Sequence, residues 1–207
     1  MTREKWLEGR KHGIGGSDAA AVIGENPYKT NVELWEEKTN RKNAEDISDK
    51  PYVKYGIDME PILRENFIIK HPEFEIVHKE NEIIKHNKFP FLFATLDGQL
   101  INKDTGEMGI LEIKTTNILQ SMQKEKWKDQ IPPNYYCQVL HYLNVTEYSF
   151  AFVFAELNYS EDYQSTRTYK IERKNVEEDI EYLLDKEIEF WKYVVDDIRP
   201  PLELPRI

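Results

Sequence analysis

The stretch Phe91-Leu92-Phe93-Ala94-Thr95-Leu96-Asp97-Gly98, with its sequel Gly109-Ile110-Leu111-Glu112-Ile113-Lys114-Thr115-Thr116, decides how this chain reads. Each segment has the apolar content of a strand and carries charge near its end. Between them lies Asn102-Lys103-Asp104-Thr105-Gly106, whose residue types tolerate the dihedrals of a tight reversal, and this predicts a hairpin. With the reversal centred between Asp104 and Thr105, Asp97 stands opposite Glu112, their Cβ atoms about 5 Å apart. Lys114, two residues beyond Glu112, points to the same face of the sheet because side chains alternate along a strand.

Two carboxylates placed directly opposite repel each other unless something neutralises them, and a divalent cation is a natural neutraliser for an open pair. All-oxygen ligation points to Mg²⁺ or Mn²⁺. The single cysteine, Cys137, and five histidines without paired ligand spacing offer no zinc motif. A cation on Asp97 and Glu112, with Lys114 to orient a nucleophile or stabilise negative charge, is equipment for cleaving phosphodiesters. The triplet alone also reads as a solvated strand edge with Asp97 capping a turn.

The 207 residues suit one α/β domain. No apolar run reaches transmembrane length, and Met1-Thr2-Arg3-Glu4-Lys5-Trp6 lacks the apolar centre of a signal peptide. One cysteine fits a reducing compartment, so the expectation is a cytoplasmic protein with no membrane partner. The formal charge of −10, from 28 basic against 38 acidic residues, argues against a nucleic-acid partner only weakly, because metal-ligating acids contribute to it. Local basic stretches at Arg10-Lys11, Lys29, Arg41-Lys42 and Lys124 to Lys128 are candidates for a DNA track or for ordinary solvated faces.

Along the chain, Trp6 to Lys11 reads as a helix end and Ser17 as the N-cap of an alanine-rich turn that closes at Gly24. Thr30-Asn31-Val32-Glu33 is a capping box opening a second helix. Tyr52 to Lys70 has helical spacing, with Pro61 expected to kink or restart it. Strands are expected at Phe74–Val77, Ile83–Lys85, Tyr148–Leu157 and Thr166–Ile171, and helices from about Asn134 to Leu143 and from Val176 to Val195. Pro200, Pro201 and Pro205 mark a loose tail. The order predicts a mixed central sheet flanked by helices in one domain, with a core at about 5–160, a C-terminal strand and long helix at 165–197, and the tail at 198–207.

Taken together these segments resemble the PD-(D/E)XK nuclease superfamily, and within it the YqaJ-like viral recombinases related to lambda-type phage exonucleases. Arg10 with Ser17 is similar to the family's N-terminal element, which contacts the DNA backbone and the terminal 5′-phosphate. Tyr55 to Glu60 resembles the helix that lends a further acid, Glu60. Thr95-Leu96-Asp97-Gly98 resembles the metal-ligand strand, with Leu96 where the family carries proline, and Leu111-Glu112-Ile113-Lys114 resembles the catalytic triplet, in which the Ile113 carbonyl completes the metal shell. Tyr136 to Tyr142 is similar to the helix whose Gln138 and Tyr142 face the site.

The resemblance implies a restriction-endonuclease-like core and a catalytic set of Glu60, Asp97, Glu112, Lys114 and Gln138. It places metal on Glu60, Asp97, Glu112 and Ile113, and DNA against Arg10, Ser17, Thr95, Gln138 and Tyr142. It further implies hydrolysis with two Mg²⁺ ions, or Mn²⁺ in their place, degrading one strand of duplex DNA from its 5′ end to mononucleotides and leaving a 3′ overhang. A ring-shaped homotrimer and a single-strand-annealing protein partner go with it. A structure- or site-specific endonuclease and a catalytically silent DNA-binding module are the alternative readings.

Overall fold

In the computed structural model, which describes residues 8–119, 121–160 and 163–204, the elements follow in the order β1 (Ile14–Gly15), α1 (Gly16–Val22), α2 (Asn31–Lys38), α3 (Pro51–Lys70), β2 (Phe74–Val77), β3 (Ile84–Lys85), β4 (Leu92–Ala94), β5 (Gly98–Asn102), β6 (Met108–Asn117), α4 (Ser121–Lys126), α5 (Pro133–Thr146), β7 (Phe150–Ser160), β8 (Tyr163–Glu172) and α6 (Glu177–Val195). The main sheet has the order β2-β5-β6-β7-β8 and is mixed: β6 and β7 run parallel, joined by the crossover through α4 and α5, and its other pairs are antiparallel. A smaller sheet, β1-β4-β3, sits beside it. Of the helix end expected over Trp6 to Lys11, residues 8–11 are helical, and Trp6 and Leu7 lie outside the described residues.

The hairpin register follows from its turn. The Asn102 side-chain carbonyl accepts from the N–H groups of Asp104 and Thr105, and Gly98 pairs with Leu111 while Ile101 pairs with Met108. Phe91 to Gly98, however, is not one strand. Leu92, Phe93 and Ala94 are all buried and pair with β1 and β3 in the small sheet, whereas Gly98 begins β5 in the large one. Thr95, Leu96 and Asp97 cross between the sheets, so Asp97 stands at their junction.

The alternating Phe150-Ala151-Phe152-Val153-Phe154-Ala155 of β7 divides the core in two. Its phenylalanines, with Leu100, Leu111 and Ile113, pack against Leu63 and Phe67 of α3. Its small residues, with Ile110 and Leu157, face α1, α5 and α6 and let those helices approach closely. Glu112 and Lys114 share the parity of Ile110 and so look toward α5.

Three local expectations give way to tertiary context. Helix α1 begins at Gly16 with Gly15 as its N-cap, and the Asp18 carboxylate, rather than the Ser17 hydroxyl, accepts the Gly15 N–H at 3.1 Å. Helix α3 continues through Pro61, which lies on its solvent-exposed side. The C-terminal segment is fastened: buried Asn31 donates to the Pro201 carbonyl at 2.7 Å and accepts from the Glu203 N–H at 2.9 Å. Gly24, at φ 73°, approaches so near that an added Cβ would stand 2.9 Å from the Leu204 carbonyl oxygen. Pro205 of the expected tail lies outside the described residues.

One buried ion pair ties these layers together. His141 of α5 and Glu187 of α6 are both 0 % exposed, with Nδ1 and Oε1 2.6 Å apart, and His141 Nε2 lies 2.8 Å from the Phe93 carbonyl of β4. Carboxylate and carbonyl oxygens only accept, so the ring carries protons on both nitrogens. Burial alone would lower the His141 pKa, but Glu187 and the Phe93 carbonyl hold it above its ordinary 6.5. Because the folded value is raised, this contribution to stability is complete below pH 6.5 and is lost as pH rises through the folded pKa. Urea titrations of wild type and Glu187→Gln at a series of pH values should show the variant less stable by about 3 kcal/mol in acid, with the gap narrowing as pH rises.

Candidate active site

All ten residues singled out by the sequence line one cleft of about 450 Å³: Arg10, Ser17, Glu60, Thr95, Asp97, Glu112, Ile113, Lys114, Gln138 and Tyr142. They arrive from five places in the chain: the β1–α1 region, helix α3, the crossing between the sheets, strand β6 and helix α5. The cleft opens where the two sheets part.

Glu112 is the centre of the polar network. It is 2 % exposed, and its Oε1 accepts from Lys114 Nζ at 2.5 Å and from Gln138 Nε2 at 2.7 Å. Its Oε2 is buried and has no hydrogen-bond partner among the described residues. An unsatisfied buried carboxylate oxygen costs stability and calls for an explanation, which a cation would provide. Asp97 Oδ2 accepts the Ile113 N–H at 2.7 Å, an exchange across the hairpin mouth that fixes its carboxylate beside Glu112. Gln138 also donates to the Tyr142 hydroxyl at 2.9 Å, and the chain Glu112–Gln138–Tyr142 anchors this face of α5 to β6.

The charges respond to this crowding. Burial, then the neighbouring Asp97, pushes the Glu112 pKa above the ordinary carboxylate range, with Lys114 offsetting part of the rise. Asp97 is also raised by burial, against the pull of Lys114, the Ile113 N–H and Arg64. Glu60 is pushed up to about 7 by burial and by Asp97. Burial would lower the Lys114 ammonium, but Glu112 and Asp97 outweigh it and hold the pKa well above normal. Lys114 therefore remains charged, and its ammonium also lies 4.8 Å from the centroid of the Tyr135 ring.

The donor set fits a hard divalent cation: Asp97 and Glu112 converge, one carboxylate oxygen is orphaned, and the surrounding ligand atoms are oxygens. Among the described residues no three His, Cys, Asp or Glu side chains gather closely enough to form a complete protein cage. Such an ion would therefore draw on backbone oxygen and water as well. Glu60, whose charge is felt by both acids, forms an ion pair with Arg64 one turn along α3.

At the other end of the cleft the Arg10 guanidinium donates to Ser17 Oγ at 2.9 Å. Gly16 beside it is a close approach, since an added Cβ would lie 2.3 Å from the Tyr142 ring and 3.0 Å from Gln138. Thr95 lines the cleft wall two residues before Asp97.

Sequence reasoning missed Arg64, whose Nε donates to the Asp97 carbonyl at 2.8 Å. Its position four residues after Glu60 was an available helical signal. It also missed His78 and Lys79, which reach the rim from the segment after β2 and carry no motif. Two of the four basic stretches proposed as DNA tracks meet acids instead: Lys29 pairs with Glu37, Arg41 with Asp197, and Lys42 with Glu33.

The chain is 35 % identical over 198 residues to the uncharacterized protein YqaJ of Bacillus subtilis (strain 168), an alignment covering 92 % of this chain and 56 % of YqaJ. The chain thus spans little more than half of that relative's length. Its fold is that of an alkaline exonuclease, LHK-Exo, from Laribacter hongkongensis, with a TM-score of 0.71 at 19 % identity over 94 % of this chain and 93 % of that one. A phage related exonuclease from Haemophilus somnus 129PT gives 0.57 at 12 % identity, covering 89 % and 96 % of the two chains. The core is accordingly a PD-(D/E)XK fold, a mixed sheet flanked by helices. Residues 5–149 match the YqaJ-like viral recombinase domain, and the chain belongs to that family.

Proposed function

We propose that this chain is a divalent-metal-dependent deoxyribonuclease that degrades one strand of duplex DNA from its 5′ end, releasing 5′-mononucleotides and leaving a 3′ overhang for phage or prophage recombination. The observation that carries the reading is the pairing of half-buried Asp97 with buried Glu112, which has an orphaned oxygen, backed by the charged Lys114 and by Gln138. Family membership supports it, as does an LHK-Exo structure in complex with dAMP, which shares this fold at a TM-score of 0.67 and 18 % identity. In the same reading the resident ion is Mg²⁺, with Mn²⁺ able to replace it, and the substrate is a duplex end. A ring of three copies and a single-strand-annealing partner in the host cytoplasm complete the picture by resemblance. Among the described residues no helix is long and apolar enough to cross a membrane.

Asp97, Glu112 and the Ile113 carbonyl would hold the metal, with Glu60 assisting, and the bound ion supplies an acidified water and neutralises phosphoryl charge. The protein's own groups do the rest. Lys114, held as an ammonium, donates hydrogen bonds and cannot act as a base; it orients the attacking oxygen and stabilises charge growing on the phosphoryl group. Gln138 fixes the Glu112 carboxylate with one amide hydrogen bond. Water adds to phosphorus and the bond to the 3′ oxygen breaks, so the released nucleotide keeps its 5′-phosphate and the shortened strand gains a new one. Each cut thus regenerates the group that Arg10 and Ser17 would receive.

Linear duplexes digested with Mg²⁺ should release mononucleotides from the 5′ strand, and excess chelator should abolish the release. Lys114→Ala and Asp97→Asn should each lower the rate at least about 100-fold while leaving the melting transition within a few degrees of wild type. Full Mg²⁺-dependent activity in either variant would refute the site assignment. Gln138→Leu should lower turnover about 10-fold, since Glu112 loses one of the two donors that orient it. A covalently closed plasmid should survive an incubation that consumes its linearised form; cutting it would turn the assignment to an endonuclease, and tight binding without cleavage of either to a silent DNA-binding module.

A further inference from the structure

Lys38, on the last turn of α2, is not accounted for by the chemistry above. Its side chain is only 8 % exposed, its Nζ donates to Asp18 Oδ2 at 2.8 Å, and it also reaches back to the Arg10 carbonyl oxygen at 3.0 Å. The same Asp18 oxygen accepts the Gly15 N–H. One ammonium therefore gathers the backbone on both sides of the loop from Arg10 to Gly15. The opposite side of that loop is held by the small sheet, where the Ile14 N–H donates to the Phe91 carbonyl at 2.7 Å.

A simple tie between α1 and α2 needs no lysine, because apolar packing there would cost less desolvation than a sequestered ammonium. What only a cation at this place does is twofold. It pins the Arg10 carbonyl, which sets where the Arg10 side chain starts, and it engages the Asp18 carboxylate, whose charge the nearby Arg10 guanidinium, bonded to Ser17, also feels.

We propose that Lys38 is a positioning residue for DNA-end recognition: by pinning the Arg10 carbonyl and engaging the Asp18 carboxylate, it keeps the Arg10 guanidinium aligned with Ser17 to receive a terminal 5′-phosphate. The inference rests on the reading of Arg10 and Ser17 given under the proposed function and adds to it the residue that sets their alignment.

The test compares duplexes with 5′-phosphoryl and 5′-hydroxyl ends in steady-state digestion with Mg²⁺, for wild type, Lys38→Met, Lys38→Gln, Asp18→Asn/Lys38→Met and Arg10→Ala. Lys38→Met should raise KM about 10-fold for 5′-phosphoryl ends, with kcat and the KM for 5′-hydroxyl ends unchanged. Lys38→Gln keeps a donor but no charge and should fall between wild type and Lys38→Met, which preserves the test should the methionine variant fold poorly. The double variant should recover part of the preference, since Asp18 no longer competes for Arg10. If both ends weaken equally in the Lys38 variants, the residue is merely structural and the inference fails. If Arg10→Ala abolishes the phosphate preference while the Lys38 variants retain it, only the Lys38 inference fails. If wild type shows no preference, the reading of Arg10 and Ser17 falls, and this inference falls with it.

Discussion

Two carboxylates pressed together under cover are the constraint around which this protein is organised. Asp97 and Glu112 share a site with limited access to water, where burial raises the proton affinity of both and the Asp97 charge raises that of Glu112 further. Lys114, Gln138 and the Ile113 N–H offset this repulsion, yet one Glu112 oxygen still has no hydrogen-bond partner among the described residues. The fold tolerates it because the strands on either side are deeply packed, with Leu111 and Ile113 in one core layer and Ile110 in the other.

The scaffold explains why the acids meet at this point. Strands β4 and β5 belong to different sheets, and the short crossing between them leaves Asp97 at the opening rather than within a ladder. The parallel β6–β7 pair requires a crossover, which supplies helix α5 and brings Gln138 and Tyr142 over Glu112. The small residues on that face of β7 allow α5 to come close, and His141, paired with Glu187 and the Phe93 carbonyl, fixes its depth. Catalytic geometry and core packing are therefore the same problem, solved on one helix.

Much of this was legible in order and type. The hairpin register could be read because turn geometry is local, set by Asn102 and its neighbours. The Thr30–Glu33 capping box is likewise local, with Thr30 Oγ accepting the Glu33 N–H and the Glu33 carboxylate accepting the Thr30 N–H. The break after Ala94 was not legible, because a continuous apolar run looks the same whether it stays in one sheet or changes sheets. Ser17 looked like a cap, yet Asp18 took that role once Lys38 of α2 had come beside it. The proline-rich end looked loose because nothing near it in sequence holds it; Asn31, 170 residues away from Pro201, does.

By itself, then, the sequence determined most of the elements, the hairpin pairing and the kinds of group that gather at the cleft, because propensity, alternation and turn chemistry act over a few residues. Only the tertiary structure decided which acid is shielded, which Glu112 oxygen is left without a donor among the described residues, and that Arg64 reaches the Asp97 carbonyl while Lys38 holds the Arg10 loop. Those outcomes depend on desolvation and charge at distances set by other elements, and no window along the chain contains both partners.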